Sequence, residues 1–437
     1  MKRMLFPVLG MLVAASPARA GEADHRVLTL DEALREARDH HPQLEAARAQ
    51  TEASSAKVES AWAPLLPQVA GNASYQRASR YAGVTATSAG GGGPVTTSGS
   101  SSTNLYSLGL TATGLLYDFG ATSGKWRAAK ATLRSQEQVE RNYVVRVAYD
   151  VRAAYYAAAA AFALVDVATQ NLANQELHLS QIQGFVEVGN RPEIDLAQAR
   201  TDRANAKVQV INAQVGYDSA KAALNQAIGV EGTTDFTVAA PGEAPVEGED
   251  DGIDELMARA LEARPDLLAL ARQIDAQELL TGALRGNYAP SLNAMAGLTE
   301  SGTALDNLHW GFRGMLSLNW QIFGGGITNA QVREARASTT ALRAQYELQR
   351  QQVRLELEQA RLGVRAAKAA VEAAREAAAN ARVRLTLAEG RYQAGVGSVI
   401  ELGDSQVAFT SAAAQEVRAR FDLGTARAKL LLALGRP

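Results

Sequence analysis

Two stretches of this chain limit what it can fold into. From Gly120 to Gly189 is 69 residues and from Gly324 to Gly395 is 71, and neither contains a proline. As single helices each would reach about 100 Å, at about 1.5 Å per residue. That is roughly three times the hydrocarbon core of a bilayer. Such lengths exceed ordinary globular helices and point to coiled-coil packing. The apolar residues are mostly small, as in "VRAAYYAAAAAFALVDVA" (151–168) and "RAAKAAVEAAREAAANA" (365–381). Alanine lets helices approach closely, while Arg, Glu and Gln on the alternate faces stay in water. A helix wet on one side and packed on its flanks suits the wall of a tube. A solid bundle or rod would want larger residues at its a and d positions.

The two runs belong to two copies of one plan. "LDEALREARDHHPQL" (30–44) matches "IDELMARALEARPDL" (253–267). Pro42 and Pro67 fall on Pro265 and Pro290, Phe119-Gly120 on Phe323-Gly324, Gly189 on Gly395, and Asp195 on Glu401. Landmarks kept in one order are what an internal duplication leaves. Each copy reads as a helix, two strands, a very long helix, a turn and another helix. The first copy spans 21–229, with a β-hairpin at about 67–119 and a helical hairpin at about 120–229. The second spans 253–437, with a β-hairpin at about 290–323 and a helical hairpin at about 324–437. Segment 230–252 between them contains "TVAAPGEAPVEGEDDG" (237–252) and reads as a linker or surface loop. The opening stretch, residues 30–62, is helical by composition, capped by Asp31 or Thr29 and ended by Pro64 and Pro67.

After Pro67 the period changes to two. Val69, Gly71, Ala73 and Tyr75 alternate with Gln68, Asn72, Ser74 and Gln76; Leu108, Leu110, Ala112, Gly114 and Leu116 alternate with Ser107, Thr111 and Thr113. The second copy repeats this with Leu292, Ala294, Ala296 and Leu298, then Phe312, Leu316, Leu318, Trp320 and Ile322. Strands of about ten residues with one apolar and one polar face fit a barrel in lipid with a wet interior. A soluble sheet laid on a core alternates in the same way. Tyr117, Phe119, Trp320 and Phe323 lie at strand ends, where an aromatic girdle belongs.

The N-terminus tips the balance toward the barrel. Lys2 and Arg3, the apolar stretch Met4 to Ala15, and Ala18-Arg19-Ala20 read as a secretory signal over residues 1–20, leaving a mature start at Gly21. Beyond it the sequence shows no apolar run of helix-spanning length. Four strands cannot close a barrel, and an open edge cannot face lipid. The chain must therefore oligomerise: two copies give eight strands with a filled interior, three give twelve with room for a channel. The Gly/Ser/Thr-rich stretch 81–104 reads as a mobile extracellular loop.

Composition removes other functions. A net charge of −2 carries no basic field for nucleic acid. The absence of cysteine excludes disulfides, thiolate metal sites and lipid attachment at the mature N-terminus. The five histidines (His25, His40, His41, His178 and His309) stand in no HExxH or other metal-ligand spacing, and no GxSxG or phosphate loop is present. The expectation is a protein that is not an enzyme and needs no cofactor.

The duplicated plan, "LDEALREARDHHPQL", the strand ends Phe119-Gly120 and Phe323-Gly324, and "YQAGVGSVIELGDSQ" together resemble the TolC family of outer-membrane efflux channels. The resemblance covers essentially all of the mature chain. It implies a mainly α fold with a transmembrane β-barrel part: a homotrimer whose twelve strands close a barrel in outer-membrane lipid and continue into a long α-helical barrel across the periplasm. It implies a passive conduit for efflux or type I secretion, joined by a periplasmic adaptor and an inner-membrane pump of the RND or ABC type. The turns at Gly189 and Gly395 become the periplasmic tips, with Val188, Gly189, Gly395 and Val396 meeting the adaptor. Gly395 and Gly397 are read as accepting positive φ where the chain reverses. Glu401 and Asp404, three apart on one helix face, become acidic selectivity rings. Asp195 and Tyr392 match two members of a constriction tied between neighbouring coils. The family's arginine two residues after the turn glycine is Gly397 here, and Arg191 or Arg391 is the nearby replacement. Two other readings stand beside this one. Ser398 and Glu401 have the spacing of a capping box, and long coils with a trimeric barrel also describe a surface adhesin or structural envelope protein without transport activity.

Overall fold

The computed structural model describes residues 26–86, 95–189, 191–240, 242 and 244–437. The expected signal sequence and the four-glycine centre of the 81–104 loop lie outside them. In chain order the elements are β1 (Arg26–Leu28), α1 (Leu30–His40), α2 (Pro42–Trp62), β2 (Gln68–Ala86), β3 (Val95–Tyr117), α3 (Ala121–Glu187) and α4 (Glu193–Ile228). There follow β4 (Phe236–Val238), α5 (Ile253–Ala263), α6 (Pro265–Gly286), β5 (Ser291–Gly302), β6 (His309–Asn319), α7 (Ile327–Gln393) and α8 (Val399–Ala433).

The opening stretch 30–62 is two helices rather than one. Pro42 divides it, because a proline ring clashes inside a helix but suits a first position, and Pro265 does the same between α5 and α6. Thr29 rather than Asp31 caps α1: its hydroxyl accepts from Glu32 N–H while the Glu32 carboxylate accepts from Thr29 N–H. Asp118 caps α3, accepting from Thr122 N–H at 2.6 Å and from Gly120 N–H at 3.2 Å.

α3 and α7 each run 67 residues without interruption. Shorter helices lie end to end beside them. α4 ends at Gly229, in the left-handed region at φ 83°, and a Cβ there would stand 2.8 Å from Pro42 Cδ at the start of α2. α8 ends against Arg264, which precedes α6 and donates from Nη1 to Ala433 O at 3.1 Å. The result is a four-helix layer in the order α4–α3–α8–α7 below these joints and α2–α3–α6–α7 above them. Gly124 against Ala283, and Gly286 against Ala121, allow the close approach of α3 and α6.

Two cores flank the joints, and they repeat the duplication residue by residue. Ala37, Leu44, Val147, Val151, Leu224 and Ile228 occupy in the first the places that Ala260, Leu267, Val353, Leu357, Leu430 and Leu434 occupy in the second. Within α3 lies a window apolar and long enough to cross a membrane by composition, which the sequence reading did not expect. Its helix extends far past any such window, and Val147, Val151 and Tyr155 are buried against β1, α1 and β4.

Segment 230–252 is more than a linker. β4 pairs in parallel with β1, Leu28 opposite Val238, and the Tyr155 hydroxyl lies 3.0 Å from Leu28 O and 2.8 Å from Ala239 O. With these two strands the described chain carries six strands, not the four expected.

The other four form one antiparallel sheet in the order β2–β3–β5–β6. Leu110 lies opposite Gly71 and Leu298, and Leu298 opposite Phe312, so the apolar positions share one continuous face. Val69, Leu110, Leu298, Phe312, Leu316 and Leu318 on that face are all exposed. Among the described residues the outer edges of β2 and β6 are unpaired. Trp310 near the start of β6 and Trp320 just past its end lie ten residues apart. That is about 33 Å along a strand, or about 25 Å of height at a barrel strand's usual tilt. β2 and β3, at 19 and 23 residues, exceed the expected ten, so much of the supposed 81–104 loop is paired strand.

Candidate functional site

The chain reverses twice at the end of the helical layer farthest from the sheet. Gly189 and Gly395 both stand at φ 75°, where an L side chain is strained. Val188 and Val396 beside them are exposed. Gly397 plays another part than expected. Its φ is not in the left-handed region; instead a Cβ there would stand 2.8 Å from Tyr392 N, and its N–H donates to Arg391 O at 2.9 Å.

Behind the turns Ile182, Ala199, Leu385, Ala388, Tyr392 and Leu402 form a small core drawn from α3, α4, α7 and α8. Tyr392 is buried, and among the described residues its hydroxyl has no hydrogen-bond partner. Burial pushes that hydroxyl's pKa up; Arg191 pulls it down and Asp195 adds to the rise. The Arg191 guanidinium lies 4.7 Å from the centre of the Tyr392 ring, and Arg191 Nη1 is 3.7 Å from Asp195 Oδ2. The His178 ring stands edge-on to Tyr392 at 5.4 Å. Burial lowers the His178 pKa, and Asp202 opposes this.

Ser398 does cap α8, accepting from Ile400 N–H at 3.2 Å. Glu401 does not complete a capping box; Arg391 Nε approaches its carboxylate to 3.5 Å. Asp404 is exposed in a groove between α4 and α8 whose walls include Ile194, Asp195, Asp202, Ile400 and Val407. The fold thus brings Asp195 and Asp404 into one groove, sets Tyr392 in the core behind it, and pairs Glu401 with Arg391.

A polar seam above this core was not anticipated. Gln175 Nε2 donates to Gln406 Oε1 at 2.8 Å, both residues buried, and Asn171 bonds Gln209 and Thr410, each at 3.2 Å. Asn171, Gln175, His178 and Ile182 follow the three-and-four spacing of one helix face. An amide at such a buried position was the signal available, though a solvated face has the same look in sequence.

Glu249, inside the former linker, was also missed. Its buried carboxylate accepts from Arg427 Nε at 2.8 Å and Val246 N–H at 3.1 Å and pairs with Lys368 Nζ at 2.8 Å. Burial alone would raise its pKa; the bonds from Arg427, Lys368 and Val246 outweigh that and hold it at about 2. Among the described residues no group of His, Asp and Glu is arranged to hold a metal ion.

A family model described as outer membrane efflux protein matches residues 33–230 and 256–436. The probable efflux pump outer membrane protein SepC of Pseudomonas putida is 24% identical over 323 residues, a match spanning 72% of this chain and 66%, just under two thirds, of SepC. Protein CyaE of Bordetella pertussis is 26% identical over 415 residues, 93% of this chain and 84% of CyaE. The CmeC outer membrane channel of Campylobacter jejuni has the same fold, with a TM-score of 0.77 at 18% identity over 98% of this chain and 94% of that one.

Proposed function

The chain belongs to the outer membrane efflux protein family, and from that premise we propose that it is the outer-membrane channel of a tripartite efflux or type I secretion machine. It is an outer-membrane protein with a large periplasmic helical part. The observation that carries the reading is a sheet with an exposed apolar face and two free edges, continuous with helices of 67 residues. Exposed apolar residues on a sheet face suit lipid, and free edges suit neighbouring copies. Three copies give twelve strands and a bore; the helical layer closes in the same way, since α4 and α7 are its edges.

The conduit is passive. A periplasmic adaptor meets Val188, Gly189, Gly395 and Val396 at the tips, and an inner-membrane pump of the RND or ABC type supplies the energy. Asp195, Tyr392, Glu401 and Asp404 form the gate, which opens as the hairpins α3–α4 and α7–α8 part. In a trimer Glu401 and Asp404 make two acidic rings that draw cations and repel anions.

Conductance of the purified mature protein in a planar bilayer under a salt gradient tests this. The expected result is a small, cation-selective conductance. Replacing both acids, Glu401→Ala with Asp404→Ala, should lower the cation-over-anion permeability ratio by about fivefold or more. An unchanged ratio would remove the ring assignment, and no conductance from inserted oligomers under any adaptor condition would remove the channel.

A further inference from the structure

Where the sheet passes into the helices, aromatic residues give way to cations on one side of the wall. Tyr117 lies opposite Leu292, an apolar-face position of β5, so its ring shares the apolar face. Phe119 stands edge-on to Tyr117 at 4.8 Å. Phe119 in turn lines a groove between α3 and α6 together with Arg127 and Arg134. The side that continues the apolar face therefore carries cations directly below its aromatic rim. From Ala121 to Gln136, α3 holds Lys125, Arg127, Lys130 and Arg134 and no acid. The acids across the groove already have cations: Asp275 pairs with Arg272 at 3.2 Å and Glu278 with Arg343 at 2.7 Å.

The second copy repeats the arrangement. α3 and α7 start from glycines in the same left-handed conformation, Gly120 and Gly326, which sets Arg333 and Arg336 in register with Arg127 and Lys130. Phe323, the counterpart of Phe119, is 86% exposed. All four cations are exposed, and among the described residues none forms an ion pair; Lys130 Nζ rests 4.5 Å over the Trp126 ring. Arg127 and Arg333 lie about 9 Å below the first residue of their helices, Lys130 and Arg336 about 14 Å. Side chains on a helix tilt toward its N-terminus, here toward the membrane, and long basic stems carry their heads to an interface. The headgroup layer extends about 5–8 Å beyond the hydrocarbon core.

We propose that Arg127, Lys130, Arg333 and Arg336 form a seat for anionic phospholipid headgroups in the periplasmic leaflet of the outer membrane, with Phe119 and Phe323 against the acyl chains. The proposal rests on the outer-membrane reading above, and not on a pore or a gate. An anionic phospholipid matches both halves of the seat: its phosphate meets unpaired cations, and its chains meet an exposed aromatic rim. A soluble anion would gain nothing from the rim, and a zwitterionic lipid brings its own cation. The guanidinium fork suits two phosphate oxygens at once, and each cation near an anionic surface strengthens binding by about fivefold. Two such positions per protomer, one under each β-hairpin, fix the height of the chain in the membrane.

Native mass spectrometry of the purified mature protein, released from micelles holding equal phosphatidylglycerol and phosphatidylcholine, counts the lipids kept on the protein. The wild type should keep phosphatidylglycerol over phosphatidylcholine by about fivefold or more. The variant Arg127→Gln, Lys130→Gln, Arg333→Gln and Arg336→Gln should fall to near parity with unchanged helical circular dichroism. The same charge change toward the tips, at the exposed Arg200, Lys207, Arg382 and Arg384, should leave the preference intact. Millimolar inorganic phosphate at matched ionic strength should not displace the lipid. No preference in the wild type, or a preference that survives in the first variant, would overturn the seat while the channel stood. Equal loss in the tip variant would reduce the effect to net charge, and displacement by phosphate would assign the cations to a free anion; either result overturns the proposal. A protein that does not enter lipid vesicles at all would overturn the outer-membrane reading, and the seat with it.

Discussion

A histidine buried beside Tyr392 ties the tip to pH. Burial depresses the His178 pKa from the ordinary 6.5, with Asp202 on α4 opposing, while Arg191 faces the other partner of the stack. The packed tip favours neutral imidazole. Its stability is therefore complete above pH 6.5 and is lost as pH falls from there toward the lowered value. Amide hydrogen exchange in residues 182–189 and 388–396, corrected for intrinsic rates, should quicken severalfold between pH 7.5 and 5.5. His178→Gln should flatten that response, and an identical response in both proteins would show that His178 has no part in it. At this scale the sequence was partly readable. Glu401 and Asp404 stood out because their spacing puts them on one face. The stack of residues 178, 191 and 392 did not, because its members come from three elements and helix periodicity speaks only of neighbours within one.

Elements were most legible where period and proline agreed. Pro67 and Pro290 end helical segments, the period-two stretches became strands, and the two proline-free runs became α3 and α7. β1 and β4 were invisible, because three residues are too few to show a period and their partners lie about two hundred residues apart. The acidic belt 246–251 looked like a solvated loop for a similar reason: its cations, Lys368 and Arg427, sit on distant helices. That belt straps α7 to α8 at the level of the helix joints. A carboxyl held at about 2 instead of 4.5 carries about 3 kcal/mol at neutral pH. Glu249→Gln should cost about that much, since it leaves two cations without their buried partner. Loss of helical circular dichroism in denaturant measures it. Because the stabilisation is present above pH 4.5 and disappears toward pH 2, the gap between wild type and variant should narrow at pH 3. A gap independent of pH would mean that packing, not charge, is lost.

For the whole molecule the sequence carried the plan and left the joining surfaces unspecified. Duplication, export and alternating strands were enough to call for an oligomer, but which helices form the edges depends on packing order. That order exposes Leu348, Leu355 and Leu362 on α7, seven residues apart, and Val208, Ile211 and Val215 on α4. Spacing by sevens is that of a coiled-coil seam. Leu355→Glu with Leu362→Glu should weaken assembly about a hundredfold or more, as each leucine buries about 1.5–3 kcal/mol. The oligomer fraction in detergent, from light scattering, reads this; full assembly would place the contact elsewhere. The joints where α4 meets α2 and α8 meets α6 have a mechanical consequence. Each lower helix is an arm of about 50 Å hinged at one end, so a rotation of one degree carries its tip about 1 Å. For the gate proposed above, an arm of this length leaves the tip free to move by ångströms on small rotations. Contacts at the far end, such as those behind the turns, therefore act where leverage is greatest and a small force suffices.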